Sequence, residues 1–490
     1  MLQPSERVAA QHRRAVLLAS RARLQRRYGA RGLARIMQAV AGLVRALGTG
    51  LVQTLCVDDE KSMAPLGLEP VSATNPAKLE RLVGEYEALH AAGEPVAVWL
   101  LGDHELVPPF VLENPASDCD AYLVTDVPYS GLGPGGVELR RPVARIIGEP
   151  AHDESGLLGA IHRLNAYASS PWHVPASRAR IASGYSALVW RQAARVACQP
   201  VIPPEELRLS PPLCRSTYHE LRRVGAWVRY FNLHGKQDGR VWYGQVDELL
   251  RGRSEQFPAA VTAQDVTTAD AANCLVLTEA CYGATLRKGS IARKFLRHGA
   301  TVIGSTAMSY GALEPPLVGA DLLSQLLLQG LSYGLRADEA LLQAQRLFVA
   351  TVAREQGFLD AEDRKTVLTF VLLGNPLFRL AECTPREETP ETGEPGAVPL
   401  QTRATCSRSY SIHAVPHSLR EELEYVAHLS GFGPEDRFRQ GTCNGQLWQA
   451  EEDERLPRSI VVRGTLPTGA ERVVRFTLDG NRVGKVAVSR

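Results

Sequence analysis

LVLTEACYGA, residues Leu275–Ala284, is the stretch that decides the fold, and AWVRYFNLHG, residues Ala226–Gly235, is its partner upstream. Each is a short apolar run rich in β-forming residues. The first ends at Cys281 and the second ends at His234, so a reactive side chain follows each run directly. Runs of this length, bounded by small residues and followed by helical patterns, are typical of buried strands in a parallel sheet.

Two such strand ends can bring a cysteine and a histidine into one cleft. In an open α/β sheet the ligand crevice lies outside the carboxyl ends of the strands. Cys281 and His234 are 47 residues apart, which leaves room for one crossover unit between neighbouring strands. A thiol is nucleophilic as its thiolate, and an imidazole can take up its proton. The pair therefore predicts a Cys–His dyad, although either residue alone would more often be structural.

The glycines beside these residues point to the same chemistry. Gly235 and Gly283 allow the backbone to approach a substrate closely. The backbone amides of Gly235 and Cys281 are candidate hydrogen-bond donors to an oxyanion. We also expect a helix over about Ser290–His298, whose N-terminus would lower the pKa of the thiol.

The two runs resemble the signature blocks of the caspase-like cysteine peptidases, in which a hydrophobic strand precedes His-Gly and another precedes Ala-Cys. Three further blocks resemble the gingipain-like family, peptidase family C25: HGKQDGRVWYG, HGATVIGSTAMSYG and VLTFVLLGNPLFRL. Upstream, VWLLGDHELVPPF and VARIIG resemble the non-catalytic first subdomain of that family. The resemblance covers about residues 50–383.

The resemblance implies an α/β fold, a caspase-like three-layer sandwich made of two tandem subdomains with a mainly parallel sheet. It implies that Cys281 is the nucleophile, that His234 is its partner, and that Gly235 and Cys281 form the oxyanion hole. Ser305 and Tyr310 follow the next strand, where the family has a wall of its substrate cleft and an extended peptide could pair as an added strand. The alternative for both is an ordinary loop.

Glu279 lies two residues before Cys281 and, in a strand of period two, points to the same side. Its carboxylate should reach the pocket for the residue that precedes the cut, where it would favour Arg or Lys. By resemblance, an acid at this position also occurs in asparagine-cutting legumains, so Asn specificity remains the alternative.

Composition places few limits on function. The chain has 490 residues, 44% of them hydrophobic, enough for two to four domains, and its net charge of +2 favours no charged partner. Nine cysteines are scattered without CxxC pairs or metal-ligand spacing, which indicates a reducing compartment. We expect no metal and no cofactor. The expected partners are a polypeptide substrate and an activating protease or regulatory protein.

No segment predicts secretion or membrane insertion. The run AVLLAS after Arg14 is too short for a signal peptide, and the apolar stretch over residues 39–57 is interrupted by Arg45 and Gln53. We therefore expect a cytoplasmic protein without a membrane partner. We expect Asp103 and His104 to be structural residues of a turn, and Asp118 and Asp120 to lie in an acidic loop.

Pattern and composition divide the chain into five parts: a basic amphipathic helical segment over residues 1–45, a non-catalytic subdomain over 46–170, a catalytic subdomain over 171–383, a linker over 384–399 and a small α+β domain over 400–490. The first 50 residues hold ten arginines and one acid. We expect them to form two helices packed on the first subdomain; membrane, nucleic-acid or partner binding are the alternatives.

The sequence thus predicts a cysteine endopeptidase that cuts after Arg or Lys. Basic pairs in predicted loops, such as Arg251 and Arg253, suggest a precursor released by proteolysis or by a partner. A caspase-like interaction scaffold that does not cleave is the main alternative. Nucleic-acid binding through the arginine-rich start is a second, with nothing else in the chain to support it.

Overall fold

The computed structural model describes residues 14–48, 50–133, 135–148, 153–169, 182–246, 256–380, 407–409, 449–453, 456–465, 469, 471–479 and 482–490. The predicted linker over residues 384–399 and the basic residues Arg251 and Arg253 lie outside the described residues.

The strands of the described residues are β1 Ala15–Ala19, β2 Val52–Cys56, β3 Ala97–Leu101, β4 Phe110–Glu113, β5 Tyr122–Thr125, β6 Val143–Ile146, β7 Ala182–Ala187, β8 Leu207–Ser210, β9 Val228–Asn232, β10 Val241–Tyr243, β11 Ala259–Thr262, β12 Leu275–Thr278, β13 Thr301–Ser305, β14 Tyr310–Gly311, β15 Phe370–Leu373, β16 Ser407–Ser409, β17 Gln449–Asp453, β18 Leu456–Thr465, β19 Glu471–Asp479 and β20 Arg482–Ser489. The helices are α1 Arg21–Leu47, α2 Glu60–Met63, α3 Pro76–His90, α4 Ser155–Ser169, α5 Arg191–Cys198, α6 Tyr218–Leu221, α7 Thr268–Ala271, α8 Ile291–Arg297, α9 Gly319–Ser332, α10 Ala337–Gln356 and α11 Ala361–Thr369.

One sheet of ten strands runs through the molecule in the order β2-β1-β3-β6-β15-β13-β12-β9-β7-β8. Neighbouring strands are parallel except β13 and β15, which are antiparallel. The predicted α/β class with a mainly parallel sheet is therefore confirmed. The strands β2, β1, β3, β6 and β15 thus run in one direction and β13, β12, β9, β7 and β8 in the other, and the two halves meet at β15, which comes from the block 367–380.

Helices cover both faces of this sheet, as the alternation along β1 demonstrates. Leu17 and Ala19 belong to the hydrophobic core that also holds buried residues of α1, whereas Val16 and Leu18 belong to the core that holds those of α3. Successive side chains of a strand point to opposite faces. The sheet is thus the middle of three layers.

The expectation of two helices over the first 50 residues is wrong for Ala15–Ala19, which form strand β1 between β2 and β3. Five fully buried apolar residues are enough for a central strand, although the run is too short for any periodicity to distinguish it from a helix. Helix α1 follows as two helical segments joined by a kink at Gly29, whose φ of +70° is not helical, and its predicted apolar stripe, including Leu24, Ile36 and Leu43, is buried. The apolar face therefore packs into the core rather than remaining exposed.

The predicted α+β region over residues 400–490 contains strands β16 to β20, but they do not form a sheet of their own. They belong to a six-stranded sheet in the order β14-β20-β19-β18-β17-β16, in which β20 pairs antiparallel with β14 of the predicted catalytic subdomain. Val461, Val473 and Ala487 share a hydrophobic cluster with Cys281 and Tyr310. Strands β18, β19 and β20 therefore pack directly against the residues that follow β12. The other predicted domain boundaries stay predictions.

Among the described residues, no helix combines the length and apolar character that a membrane crossing requires.

Candidate active site

The ends of two adjacent strands bring His234 and Cys281 to the same edge of the sheet. β9 and β12 are parallel neighbours, with Phe231 opposite Thr278, so both chains leave the sheet side by side. A β-carbon at Gly235 would overlap the carbonyl oxygen of Cys281. Only glycine lets the two backbones approach this closely. The peptide after His234 is thus packed on the peptide of Cys281.

His234 is buried, and both of its ring nitrogens have partners. Nε2 lies 2.8 Å from Oε1 of Gln245, and Nδ1 lies 3.0 Å from NH1 of Arg472, while the ring packs on Trp190 with 4.3 Å between the ring centroids. A guanidinium only donates hydrogen bonds, so Nδ1 must accept, and the proton of a neutral imidazole is then on Nε2. The geometry therefore fixes His234 as the neutral Nε2–H tautomer.

Cys281 lies in a tight turn after β12. The next residue, Tyr282, has a φ of +56°, in the left-handed region that side chains other than glycine seldom adopt. Tyr282 N–H donates to the Ala307 carbonyl at 2.8 Å, which holds the turn. The Cys281 thiol is 3.3 Å from the amide N–H of Ser309 and 3.6 Å from its carbonyl oxygen. The thiol thus contacts both backbone polar groups of Ser309.

Both members of the pair are in their uncharged forms. Burial raises the pKa of the Cys281 thiol to about 12. Burial, together with the charge of Arg472, holds the pKa of His234 well below its usual range. The predicted helix after the nucleophile is confirmed as α8, but it begins ten residues after Cys281 and has only seven residues. The expected lowering of the thiol pKa by this helix is wrong for this structure, because burial dominates.

The depressed pKa of His234 makes part of the stability dependent on pH. Below pH of about 6.5 an unfolded chain protonates this histidine, whereas the folded chain does not. The contribution is therefore fully present above that pH and falls at lower pH, by up to about 1.4 kcal/mol per pH unit. We expect urea unfolding of wild type to lose more free energy between pH 7.5 and 5.0 than unfolding of His234→Gln. Equal losses would contradict this assignment.

Beside the histidine is a pocket with two buried carboxylates, Glu279 and Asp321. Glu279 accepts a hydrogen bond from the Tyr230 hydroxyl at 2.7 Å. Asp321, in the first turn of α9, accepts from the Asn232 side chain at 2.9 Å and from the Ala312 amide at 2.6 Å. Burial, followed by the nearby charge of Asp321, raises the pKa of Glu279 well above its usual range.

This pocket holds an arginine side chain, that of Arg490. Its guanidinium donates to Asp321 Oδ2 and, at 2.7 Å, to the Ala312 carbonyl, and its Nε lies 4.0 Å from Glu279 Oε2. The guanidinium carbon is 3.9 Å from the centroid of the Trp190 ring, within cation–π range. Since Trp190 also contacts His234, it forms a wall shared by the pocket and the imidazole.

Of the two other predicted binding residues, Tyr310 lies in a cluster with Cys281, and Ser305 does not. Tyr310 forms part of β14, whose backbone pairs with β20, while its hydroxyl donates to Asp118. Ser305 is fully buried at the end of β13, where its hydroxyl bonds to the Ala307 carbonyl and to Thr369, each at 3.0 Å. Ser305 thus stabilises the loop before the cleft and does not line the pocket.

The acidic loop of the first half of the chain supports the turn that carries Cys281. Tyr282 donates from its hydroxyl to Asp120 at 2.7 Å, and the Met308 amide donates to the other oxygen of Asp120 at 2.9 Å. Lys365, fully buried, bridges Asp118 at 2.5 Å and Asp120 at 2.6 Å. The predicted loop therefore acts on the turn that carries Cys281, a role that its composition alone did not indicate.

Removing the lysine should leave two buried carboxylates without their cation. We expect Lys365→Met to lower the free energy of unfolding by about 3 to 5 kcal/mol, the usual cost of breaking a buried pair on one side. Arg354→Met is a matched control, since Arg354 and Glu355 are both largely exposed, and it should change stability by no more than about 0.5 kcal/mol. Urea denaturation measures both; equal effects would contradict a buried role for Lys365.

Asp103 and His104 have the structural roles expected for them. Asp103 pairs with Arg27 of α1 at 2.6 Å, and burial lowers the pKa of His104 to about 4. Within the described ranges, no three or more His, Cys, Asp or Glu side chains form a group that could hold a metal ion.

The site residues that sequence reasoning missed are Trp190, Asp321, Arg472 and Arg490. Asp321 carried a weak signal, as the one acid in the apolar helix α9, but acids in a first turn are common for electrostatic reasons alone. Arg472 and Arg490 carried none, because only the pairing of β20 with β14 brings them to the site.

No protein-family model matches the chain, and no curated protein sequence matches it. A solved structure named "Structure of Protease" is similar to this chain with a TM-score of 0.48 and 12% sequence identity, and the similarity covers 98% of this chain and 97% of that chain. A likeness at this level carries no argument about function.

Proposed function

We propose that this chain is a cysteine endopeptidase that cleaves polypeptides after arginine or lysine. The observation that carries the proposal is the packing of the His234–Gly235 peptide on the Cys281 peptide at the ends of β9 and β12. A thiol and an imidazole beyond neighbouring strand ends can act on one carbonyl group. The motif blocks around both residues support placing the enzyme with the gingipain-like, caspase-like peptidases.

In the proposed reaction the Cys281 thiol attacks the scissile carbonyl carbon. The thiol proton passes to His234, which then gives a proton to the leaving amine as the acyl-enzyme forms, and water releases the acid product. Neither the Gly235 amide nor the Cys281 amide has a hydrogen-bond acceptor among the described residues. These two adjacent donors suit the oxyanion of the tetrahedral intermediate.

The specificity for a basic residue rests on the pocket of Glu279 and Asp321. A buried guanidinium is unfavourable unless its charge is paired, and here an arginine side chain is accommodated by a carboxylate, a carbonyl oxygen and an aromatic face. An asparagine side chain carries no charge to balance Asp321. The pocket therefore supports arginine or lysine over asparagine.

The proposal is tested by mass spectrometry after incubation with an unbiased peptide library. Wild type, Arg490→Met, which removes the guanidinium from the pocket, and each of these combined with Cys281→Ala are compared. We expect fragments that end in Arg or Lys in the reactions with Cys281 intact and not in the others. Fragments that do not depend on Cys281 would contradict a cysteine peptidase. The absence of fragments in all four reactions would instead favour the non-cleaving scaffold.

A further inference from the structure

We infer that the segment Val488–Arg490 occupies the substrate position of this protein's own cleft, with Arg490 in the place of the residue that precedes a cut. The inference rests on the proposed function, because it assigns the substrate position of that same site. It goes further in naming the occupant, a segment that restrains the enzyme and resembles the substrates it would accept.

The backbone of β20 is bound as an added strand. Ser489 is opposite Tyr310 and Val488 is opposite Gly311 in an antiparallel pair, and the Arg490 amide donates to the Ser309 carbonyl at 2.8 Å. Strand addition of this kind is a general mode of peptide recognition, in which main-chain bonds give affinity and side-chain pockets give specificity. The same backbone wall would receive any extended peptide.

The pairing puts Arg490 beside the nucleophile. Ser309 offers its amide N–H to the Cys281 thiol at 3.3 Å and its carbonyl oxygen to the Arg490 amide. The backbone N–H and carbonyl oxygen of Ser309 thus contact the Cys281 sulfur and the Arg490 amide, respectively. With its side chain in the acid pocket and its backbone bonded to the residue that contacts the thiol, Arg490 is placed as a bound substrate residue would be.

The neighbouring strand adds a second restraint, on the histidine. Arg472 of β19 donates to Nδ1 of His234 and also to the Ser489 carbonyl of β20. While Nδ1 accepts from Arg472 it cannot accept a proton from the thiol. Burial and the charge of Arg490 lower the pKa of Arg472 to about 9, so the guanidinium stays charged at neutral pH and retains this hydrogen bond.

Buried ion pairs hold the two strands onto the catalytic region. Lys485 of β20 contacts Asp360 at 2.9 Å and Asp363 at 2.8 Å, and Arg475 of β19 contacts Glu362 at 2.9 Å. All three acids lie at the start of α11. A segment of the same chain held in this way is always present at the site, so a free peptide must compete with it.

The test separates occupancy from catalysis. Arg490→Met keeps an unbranched side chain to pack over Trp190 but cannot pair with Asp321; Arg354→Met, at an exposed arginine away from the site, is the control. The binding arm uses full-length chains that carry Cys281→Ala and a fluorescent peptide with the sequence Ala-Val-Ser-Arg of residues 487–490. The activity arm uses the same variants with Cys281 intact and a peptide substrate with arginine before the cut. Circular dichroism and urea midpoints establish that each variant is folded, and Arg490→Lys serves as a second variant if Arg490→Met unfolds.

We expect Arg490→Met to bind the peptide at least tenfold more tightly than the parent and Arg354→Met to bind like the parent. With Cys281 intact, kcat/KM for the peptide substrate should rise at least tenfold, mainly because KM is lower. If Arg490→Lys has to be used, the expected gain is smaller but of the same sign. Equal binding in folded variants overturns the occupancy, even when every variant cleaves peptides. Tighter binding without cleavage by any variant supports the occupancy as a binding site and contradicts the peptidase.

Discussion

Cys281→Ala is expected to reduce peptide cleavage by about 10⁴-fold or more when it is introduced into the Arg490→Met chain, because no other group can form the acyl-enzyme. His234→Ala should cost about 10²- to 10⁴-fold, the usual contribution of general acid–base catalysis. Because both side chains lie at the edge of the sheet and become smaller on substitution, we expect both variants to fold. The measurement is kcat/KM on a short peptide with arginine before the cut.

Cys274→Ala is the matched control for the thiol. Cys274 is also buried, one residue before β12, and burial raises its pKa to about 12 as it does for Cys281. Its thiol hydrogen bonds to the Asp270 carbonyl, away from the Ser309 backbone. We expect this variant to keep its turnover and lose only stability. Normal turnover in Cys281→Ala, or an equal loss in Cys274→Ala, would exclude Cys281 as the nucleophile.

The sequence was sufficient for the strands that carry the dyad because their signals are local. Val228–Asn232 and Leu275–Thr278 are apolar runs that end shortly before a reactive residue, and the structure has strands there. The direction of β15 could not be predicted in the same way, because an apolar run does not indicate whether its neighbour is parallel or antiparallel. Ala15–Ala19 was missed for a related reason: its five residues were too few to show a period.

The candidate site was only half predictable. Glycines and the preceding strands mark His234 and Cys281, so the local sequence is enough to identify both residues. Asp321 and Arg490 are brought together by helix α9 and strand β20, which are far apart in sequence. Contacts of this kind depend on which strands pair, and neither residue differs locally from an ordinary surface acid or base.

Restraint of the enzyme was also expected, but at another place. The basic residues Arg251 and Arg253 lie outside the described residues, so activation by a cut there stays a prediction. The structure instead has β19 and β20 against His234 and Cys281, with Arg472 on His234 and Arg490 beside Asp321. Release would then require that β20 leave β14, against the buried ion pairs at the start of α11.

The second large effect is expected at Asp321. Asp321→Asn in the Arg490→Met chain should lower kcat/KM for cleavage after arginine by about 10²-fold, since removing one partner of a buried, hydrogen-bonded charge pair costs about 2 to 5 kcal/mol. Asp321 makes the direct ion pair with a guanidinium in this pocket, whereas Glu279 lies 4.0 Å away. The change is measured as cleavage of matched peptides with Arg, Lys, Asn or citrulline before the cut. Only the peptides with Arg or Lys there should show a lower kcat/KM.

Glu279→Gln is the matched comparison, and it should cost much less. Burial and the nearby charge of Asp321 raise the pKa of Glu279 well above its usual range, and its carboxylate lies 4.0 Å from the Arg490 guanidinium, so glutamine, which has a similar shape, removes no close ion pair. The Tyr230 hydroxyl can donate to the amide oxygen as it does to Glu279. A larger loss in Glu279→Gln than in Asp321→Asn would reverse the assignment and make Glu279 the main source of specificity. Equal rates for Arg and Asn peptides in the parent chain would remove the basis for a basic pocket, and the arginine in it would then be a structural residue of β20.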